Sequence, residues 1–75
     1  MVESLVLIEG YNVKEEALRI SLSNAKQLVV GRVPVNGWIL HVAANSSTDL
    51  GKALLEFGEI SGVTEVLTLT LRTSQ

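Results

Sequence analysis

Four short runs of apolar and β-branched residues, each about the length of a β-strand, most limit what this chain can fold into. They cover residues 2–9, 26–35, 38–44 and 63–73. Asn36 and Gly37 lie between the second and third runs, and this pair is the strongest short-range signal for a tight hairpin, because both residues tolerate a positive φ. The sequence therefore predicts four strands, the middle two joined by a hairpin with its turn at Asn36 and Gly37.

A helix is predicted between the third and fourth strands. Ser46 or Ser47 can cap its first turn, and apolar side chains recur at helical spacing along one face. These side chains are Leu50, Ala53, Leu54, Phe57 and Ile60. Gly62 suits the left-handed conformation with which many helices end. Gly51 and Gly58 lie seven residues apart on a second face, where close approach of another helix and simple tolerance explain them equally well.

Residues 12–24 carry two conflicting patterns. Asn12 followed by Glu15 resembles a capping box, and the residues after it are good helix formers. The alternation of apolar and polar residues over 18–23 is equally typical of a strand. We choose the helix, because the order of elements then becomes strand-helix-strand-strand-helix-strand. A strand in this segment would instead give a five-stranded sheet with one helix.

These elements together predict one α+β domain over residues 1–75, with no linker or low-complexity tract dividing the chain. Its expected architecture is ferredoxin-like (βαββαβ), a four-stranded antiparallel sheet with two helices on one face. The opposite face is the unusual one, because a sheet face in water is normally polar. In the first strand, however, Leu5 and Leu7 point to one face and Val6 and Ile8 point to the other, so neither face is polar.

The third strand repeats this pattern of two apolar faces. Only the fourth strand is expected to carry a polar face, formed by Thr68, Thr70 and Arg72 opposite Leu67, Leu69 and Leu71. Two helices can cover one side of such a sheet, so the other side predicts a homodimer or a higher oligomer. The predicted interface residues are Ile39, His41 and Ala43.

Composition supports self-association and excludes several classes of function. Hydrophobic residues make up 47% of the 75 positions, which is more than the core of so small a domain can bury. No cysteine is present, which excludes disulfides and thiolate metal sites. A net charge of −2 gives no general attraction to nucleic acid or to an anionic membrane. No apolar run approaches the roughly 20 residues of a membrane span, and we expect a cytoplasmic protein.

Residues that could catalyse a reaction or bind a metal are few. His41 is the only histidine and has no carboxylate two residues away, which indicates a partly buried or interface side chain rather than a metal ligand. No nucleophile motif surrounds any serine, and no glycine-rich phosphate loop is present. The sequence therefore predicts a protein that is not an enzyme, with no metal, no cofactor and no direct contact with nucleic acid.

Both ends of the chain are similar to a known family. Residues 1–8 resemble the opening of stand-alone RAM domains, the ligand-sensing domains of leucine-responsive (Lrp/AsnC) regulators. Gly62 and Val63, followed by a threonine-rich last strand, resemble the end of that family, and Gly37 opens the third strand at the corresponding place. ACT domains and the small nitrate-reductase signal-peptide chaperones share this outline. The resemblance implies a ferredoxin-like fold and a dimer.

The resemblance also implies a non-enzymatic regulatory or ligand-sensing module, in which a small effector such as an amino acid binds between subunits. The candidate lining residues carried over from it are Arg32, Asn36, Gly37, Trp38, Thr68 and Thr70. Two other functions compete with this one. The chain could be an adaptor or chaperone-like protein that binds a client peptide or protein at a sheet edge, or a structural subunit of a larger assembly.

Overall fold

The computed structural model describes residues 1–19, 22 and 24–73, and these residues form an α+β fold. Its elements in chain order are β1 (Val2–Gly10), α1 (Glu15–Leu18), β2 (Ala25–Val33), β3 (Gly37–Ala44), α2 (Ser47–Gly58) and β4 (Val63–Thr73). The four strands make one sheet in the order β2-β3-β1-β4, and each neighbouring pair is antiparallel. The predicted antiparallel sheet of four strands with two helices is confirmed.

The core lies between the helices and one face of the sheet. Alternate residues of β1 and β3 point into it, as the period of two in a strand requires. They are Val2, Val6, Ile8, Leu40, Val42 and Ala44, and they form one buried cluster with Leu18, Leu50, Ala53 and Phe57 from the helices. Ser4 is the one buried polar residue in the described part of the chain, and its Oγ donates a hydrogen bond to the Thr70 carbonyl oxygen at 2.7 Å.

Helix α2 follows the sequence prediction closely. The Ser46 side chain accepts a hydrogen bond from the backbone N–H of Asp49 at 3.1 Å, so Ser46 rather than Ser47 is the cap. Gly62 adopts a φ of 94°, the left-handed conformation expected, but it lies in the turn before β4 and does not end the helix, because α2 finishes at Gly58 and its cap, Glu59, is in the right-handed helical region. A Cβ added to Gly51 or Gly58 would meet no atom within 4 Å. Close approach of another part of the chain therefore does not explain these two glycines.

The first helix is much shorter than predicted. It covers only Glu15–Leu18, and its cap residue, Lys14, makes no side-chain cap hydrogen bond. The capping box proposed at Asn12 is wrong, because Asn12 has a φ of 58° and turns the chain three residues before the helix begins. Leu18 nevertheless anchors the segment in the core. The rest of the predicted helix includes Ile20, Ser21 and Ser23, which lie outside the described residues.

The turn of the β2–β3 hairpin lies one residue earlier than predicted. Its positive φ angles belong to Val35 (68°) and Asn36 (64°), whereas Gly37 is the first residue of β3. Gly37 is required for packing instead of for the turn. A Cβ at this position would lie 3.1 Å from Cβ of Val33 and 3.4 Å from Cδ1 of Leu7.

The prediction of a polar face on β4 is wrong, because a β-bulge reverses the alternation of its side chains. Leu5 of β1 lies opposite Thr70, but the next residue, Val6, lies opposite Thr68, so Leu69 is an extra residue. Side chains before the bulge and side chains after it that would otherwise share a face therefore point to opposite faces. Leu67 shares a face with Thr70 and Arg72, and Thr68 shares the other face with Leu71.

Candidate functional site

The sheet face that turns away from both helices, here called the open face, carries apolar side chains that are exposed to water. Each strand contributes alternate residues to it, and the strand register arranges them in rows. The two central rows are Leu28, His41, Leu5, Thr70 and Gly31, Ile39, Leu7, Leu67. Most of these side chains are apolar, and Leu28 and Leu67 are 67% and 40% exposed.

The two outer rows give the open face opposite charges at its two ends. One row contains Lys26, Ala43, Glu3 and Arg72, and the other contains Val33, Gly37, Glu9 and Glu65. Both cations of this face therefore lie at the end where β1 begins. The carboxylates of Glu9 and Glu65 lie at the end where β1 finishes, in a row that contains no cation. The face is consequently apolar in the middle, with a mainly basic end and an acidic end.

A pocket of about 280 Å³ opens at the basic end of the open face, and its lining includes Glu3, Leu5, His41, Thr70 and Arg72. The His41 Nε2 atom lies 3.5 Å from the Glu3 Oε1 atom, and Glu3 is the register partner of Arg72. The pocket thus combines a cation, a carboxylate, an imidazole and a hydroxyl group. Such a set can bind a small molecule that carries both a negative and a positive group.

The bulge in β4 shapes this pocket. Beside the bulge at Leu69, the backbone N–H of Leu5 donates to the Thr70 Oγ1 atom at 3.2 Å. The Thr70 carbonyl accepts from Ser4 on the other side of the strand. Thr70 is thereby held by β1 through both its side chain and its backbone, which fixes its place at the pocket wall.

The three predicted interface residues lie on the same surface. Ile39, His41 and Ala43 are successive open-face positions of β3, and all three are half-buried within the single chain. His41 reaches Glu3, while Ile39 has Leu7 as its register partner. The fold therefore places the predicted residues where a second molecule could contact them. That contact itself stays a prediction.

The six predicted ligand-binding residues form two separate groups. The Arg32 guanidinium carbon lies 5.5 Å from the ring centroid of Trp38, and the Trp38 Nε1 atom donates to the Val13 carbonyl at 3.0 Å. Asn36 lies nearby in the hairpin, where its carbonyl accepts from the Gly10 N–H, and Gly37 follows it. Trp38 has Ile8 as its register partner, which places the Arg32–Trp38 pair on the helix side of the sheet.

Thr68 and Thr70 form the second group, on β4. Strand β1 separates them from β3, a distance of about 10 Å at the usual strand spacing. They also lie on opposite faces of the sheet, because Thr68 pairs with buried Val6 and Thr70 pairs with Leu5. Within one subunit, Arg32 and Trp38 therefore lie close to each other and to the hairpin turn. Thr68 and Thr70 do not lie near them.

The open-face pocket includes two charged residues that the sequence did not single out as a site, Glu3 and Arg72. They are 69 positions apart and meet only because β1 and β4 pair in one particular register.

Within the described residues, no group of three histidine, aspartate or glutamate side chains could hold a metal ion. In the same part of the chain, no helix is both long enough and apolar enough to cross a membrane.

Comparison of the chain with models of protein families, with curated proteins and with solved structures finds no match in any of the three. The geometry of the open face and its pocket is therefore the basis for what is proposed about function.

Proposed function

We propose that this chain is a non-enzymatic, ligand-sensing regulatory module that pairs with a second copy through its open face and binds a small effector between the subunits. One observation carries the proposal: the open face is apolar across its two central rows and has a pocket with opposite charges beside them. The element order and the strand order β2-β3-β1-β4 support a ferredoxin-like fold, related to RAM and ACT-like domains.

The size of the chain favours a partner on this face. A domain of 75 residues has a small core and is marginally stable alone. The open face leaves Leu28 largely in water and Leu67 partly so, next to half-buried Leu5, Leu7 and Ile39. Covering these side chains removes apolar area from water at roughly 25 cal/mol per Å². A second copy of the same sheet offers a surface of the same size and the same apolar character.

The charges on the outer rows favour one orientation of the two copies. A two-fold axis that lies in the plane of the face and perpendicular to the strands exchanges the ends of the face. It places Arg72 of each subunit opposite Glu65 of its partner, and Glu3 opposite Glu9. An axis parallel to the strands instead exchanges the edges and places Lys26 of one subunit opposite Arg72 of the other, where like charges repel. The first arrangement offsets its like-charge pair with an attractive one and the second does not, so the first is the one proposed, with the sheets rotated about 30° as in aligned packing.

The effector in this proposal is a small zwitterion such as an amino acid. Its carboxylate would bind the Arg72 guanidinium, and its ammonium group would bind the Glu3 carboxylate. The Thr70 hydroxyl and His41 imidazole offer further hydrogen bonds at the pocket wall. A second sheet over the pocket would exclude water and strengthen these charge-assisted contacts. The effector would consequently bind the paired form more tightly than the single chain.

Thermal unfolding in the presence of each of the common amino acids tests the effector. A ligand at 100 times its dissociation constant adds about 2.7 kcal/mol to the free energy of unfolding, so the correct amino acid raises Tm by several degrees. Arg72→Ala should abolish this rise, whereas Lys26→Ala, which removes the other cation of the same row, should leave most of it. Absence of any rise in the wild type, or an equal rise in Arg72→Ala, would reject the proposed site.

A further inference from the structure

A second surface, on the opposite side of the sheet from the open face, has features of a peptide-binding groove. It is an open cavity of about 550 Å³ between α2 and the first half of β4. Leu54 and Leu55 line it from the helix, and Val63 and Val66 line it from the strand. Leu55 is 71% exposed, whereas Leu54, Val63 and Val66 are half-buried, so part of the apolar wall of the groove is in contact with water.

Gly58 keeps this groove open. It lies in the last turn of α2 and lines the cavity, and a Cβ added to it would point into space with no atom within 4 Å. Because Gly58 is the last residue of α2 and has no side chain, this end of the groove stays accessible, and a longer side chain at this position would occupy it.

The strand side of the groove is a free sheet edge. Strand β4 has β1 as its neighbour on one side and no strand on the other in the described part of the chain. The register shifts leave Thr64 and Leu69 as extra residues, and residues 65–68 between them remain in regular register. A regular edge of this kind presents unpaired backbone N–H and C=O groups to an added strand.

The negative charge of the groove determines which segments can bind to it. Glu59, directly after α2, and Glu65 from β4 line it, and no lysine or arginine occurs among the described residues that line it. A bound segment with a positive charge is therefore attracted, and one with a negative charge is repelled. A second copy of this chain would bring its own Glu59 and Glu65 to the same junction, so like charges disfavour it as the occupant.

We propose that this groove binds an extended segment of another protein, which adds as a strand beside residues 65–68 of β4. Its alternate apolar side chains pack against Leu54 and Val66, and a lysine or arginine of the segment pairs with Glu59 or Glu65. The added strand forms backbone hydrogen bonds with β4, and the groove determines which side chains of the segment can bind. Apart from Glu65, which also belongs to the acidic end of the open face, the residues of this site lie outside the proposed pairing.

Selection from a phage library of random ten-residue peptides tests this inference. Enriched peptides should combine alternating apolar residues with at least one lysine or arginine. When synthesised and titrated into labelled protein, they should shift the NMR amide signals of residues 54–59 and 63–66. Gly58→Gln, which fills the groove, should weaken their binding by at least tenfold, and E59K should weaken it as well. Gly51→Gln is the matched control, because Gly51 is equally open but lies outside the groove.

Several results would overturn the inference. No enrichment of any peptide, enrichment of acidic peptides, or equal weakening by Gly51→Gln and Gly58→Gln would each do so. Signals that shift on the open face instead of in the groove would assign the peptide to a different site. A doubling of mass in the absence of peptide that Gly58→Gln abolishes would make the occupant a second copy of this chain. Circular dichroism of both variants ensures that they are folded before these results are compared.

Discussion

The tip of the β2–β3 hairpin stores strain that one substitution should release. Val35 has a φ of 68° and is 87% exposed. A left-handed backbone costs an L-residue roughly 1–2 kcal/mol, and a β-branched side chain is among the least tolerant of it. Asparagine tolerates this conformation through its short polar side chain. Because Val35 is almost fully exposed, its replacement removes little packing, and Val35→Asn should raise the free energy of unfolding by about 1 kcal/mol.

Urea denaturation monitored by circular dichroism measures this change, at one protein concentration for all variants. In a separate thermal unfolding experiment, the same gain of 1 kcal/mol would raise Tm by about 4–8 °C in a domain of this size. Val30→Asn is the matched control, because Val30 lies in the same hairpin, is 58% exposed and has no positive φ. It should lose up to about 1 kcal/mol, since asparagine is a poor strand residue. A Val35→Asn variant that is no more stable than wild type would refute the reasoning.

Three other substitutions test the local structure and the open face. Ser46→Ala should lower the stability of the protein by about 1 kcal/mol in urea denaturation, because it removes the cap of α2; an unchanged midpoint would contradict that role. Gly37→Ala should destabilise the hairpin, whereas Gly31→Ala should not, because only the Cβ at Gly37 meets atoms within 4 Å; equal effects would show that packing is not the reason for the glycine. Ile39→Lys should reduce the mass in light scattering to that of one chain, and Leu55→Lys, which is equally drastic but on α2, should not; a paired Ile39→Lys variant would place the interface elsewhere.

The parts of the fold that sequence reasoning predicted correctly depend on local signals. The four strands follow from short apolar runs, and α2 follows from a capping serine and an apolar face at helical spacing. The positive φ of Gly62 was also predicted, although Gly62 lies in the turn that leads into β4 and not at the end of α2. Each of these signals lies within a few residues of the feature it predicts.

The parts that were missed depend on contacts between distant residues. The bulge at Leu69 follows from how β4 pairs with β1, and no residue type marks it in the sequence. The hairpin turn lies at Val35 and Asn36, whereas Gly37 begins β3 and lies close to Val33 and Leu7, a contact that local sequence signals do not show. The pocket at Glu3, His41 and Arg72 joins three strands, so its members could be recognised only once the register was known.

Light scattering of the wild-type protein at micromolar concentration tests the central claim, that the open face is covered by a second copy. The claim predicts a mass of twice the 8.1 kDa of one chain, or a multiple of that pair. Dilution should then shift the mass toward that of a single chain if the pairing is reversible. A well-folded species of 8.1 kDa across the whole concentration range would contradict the claim.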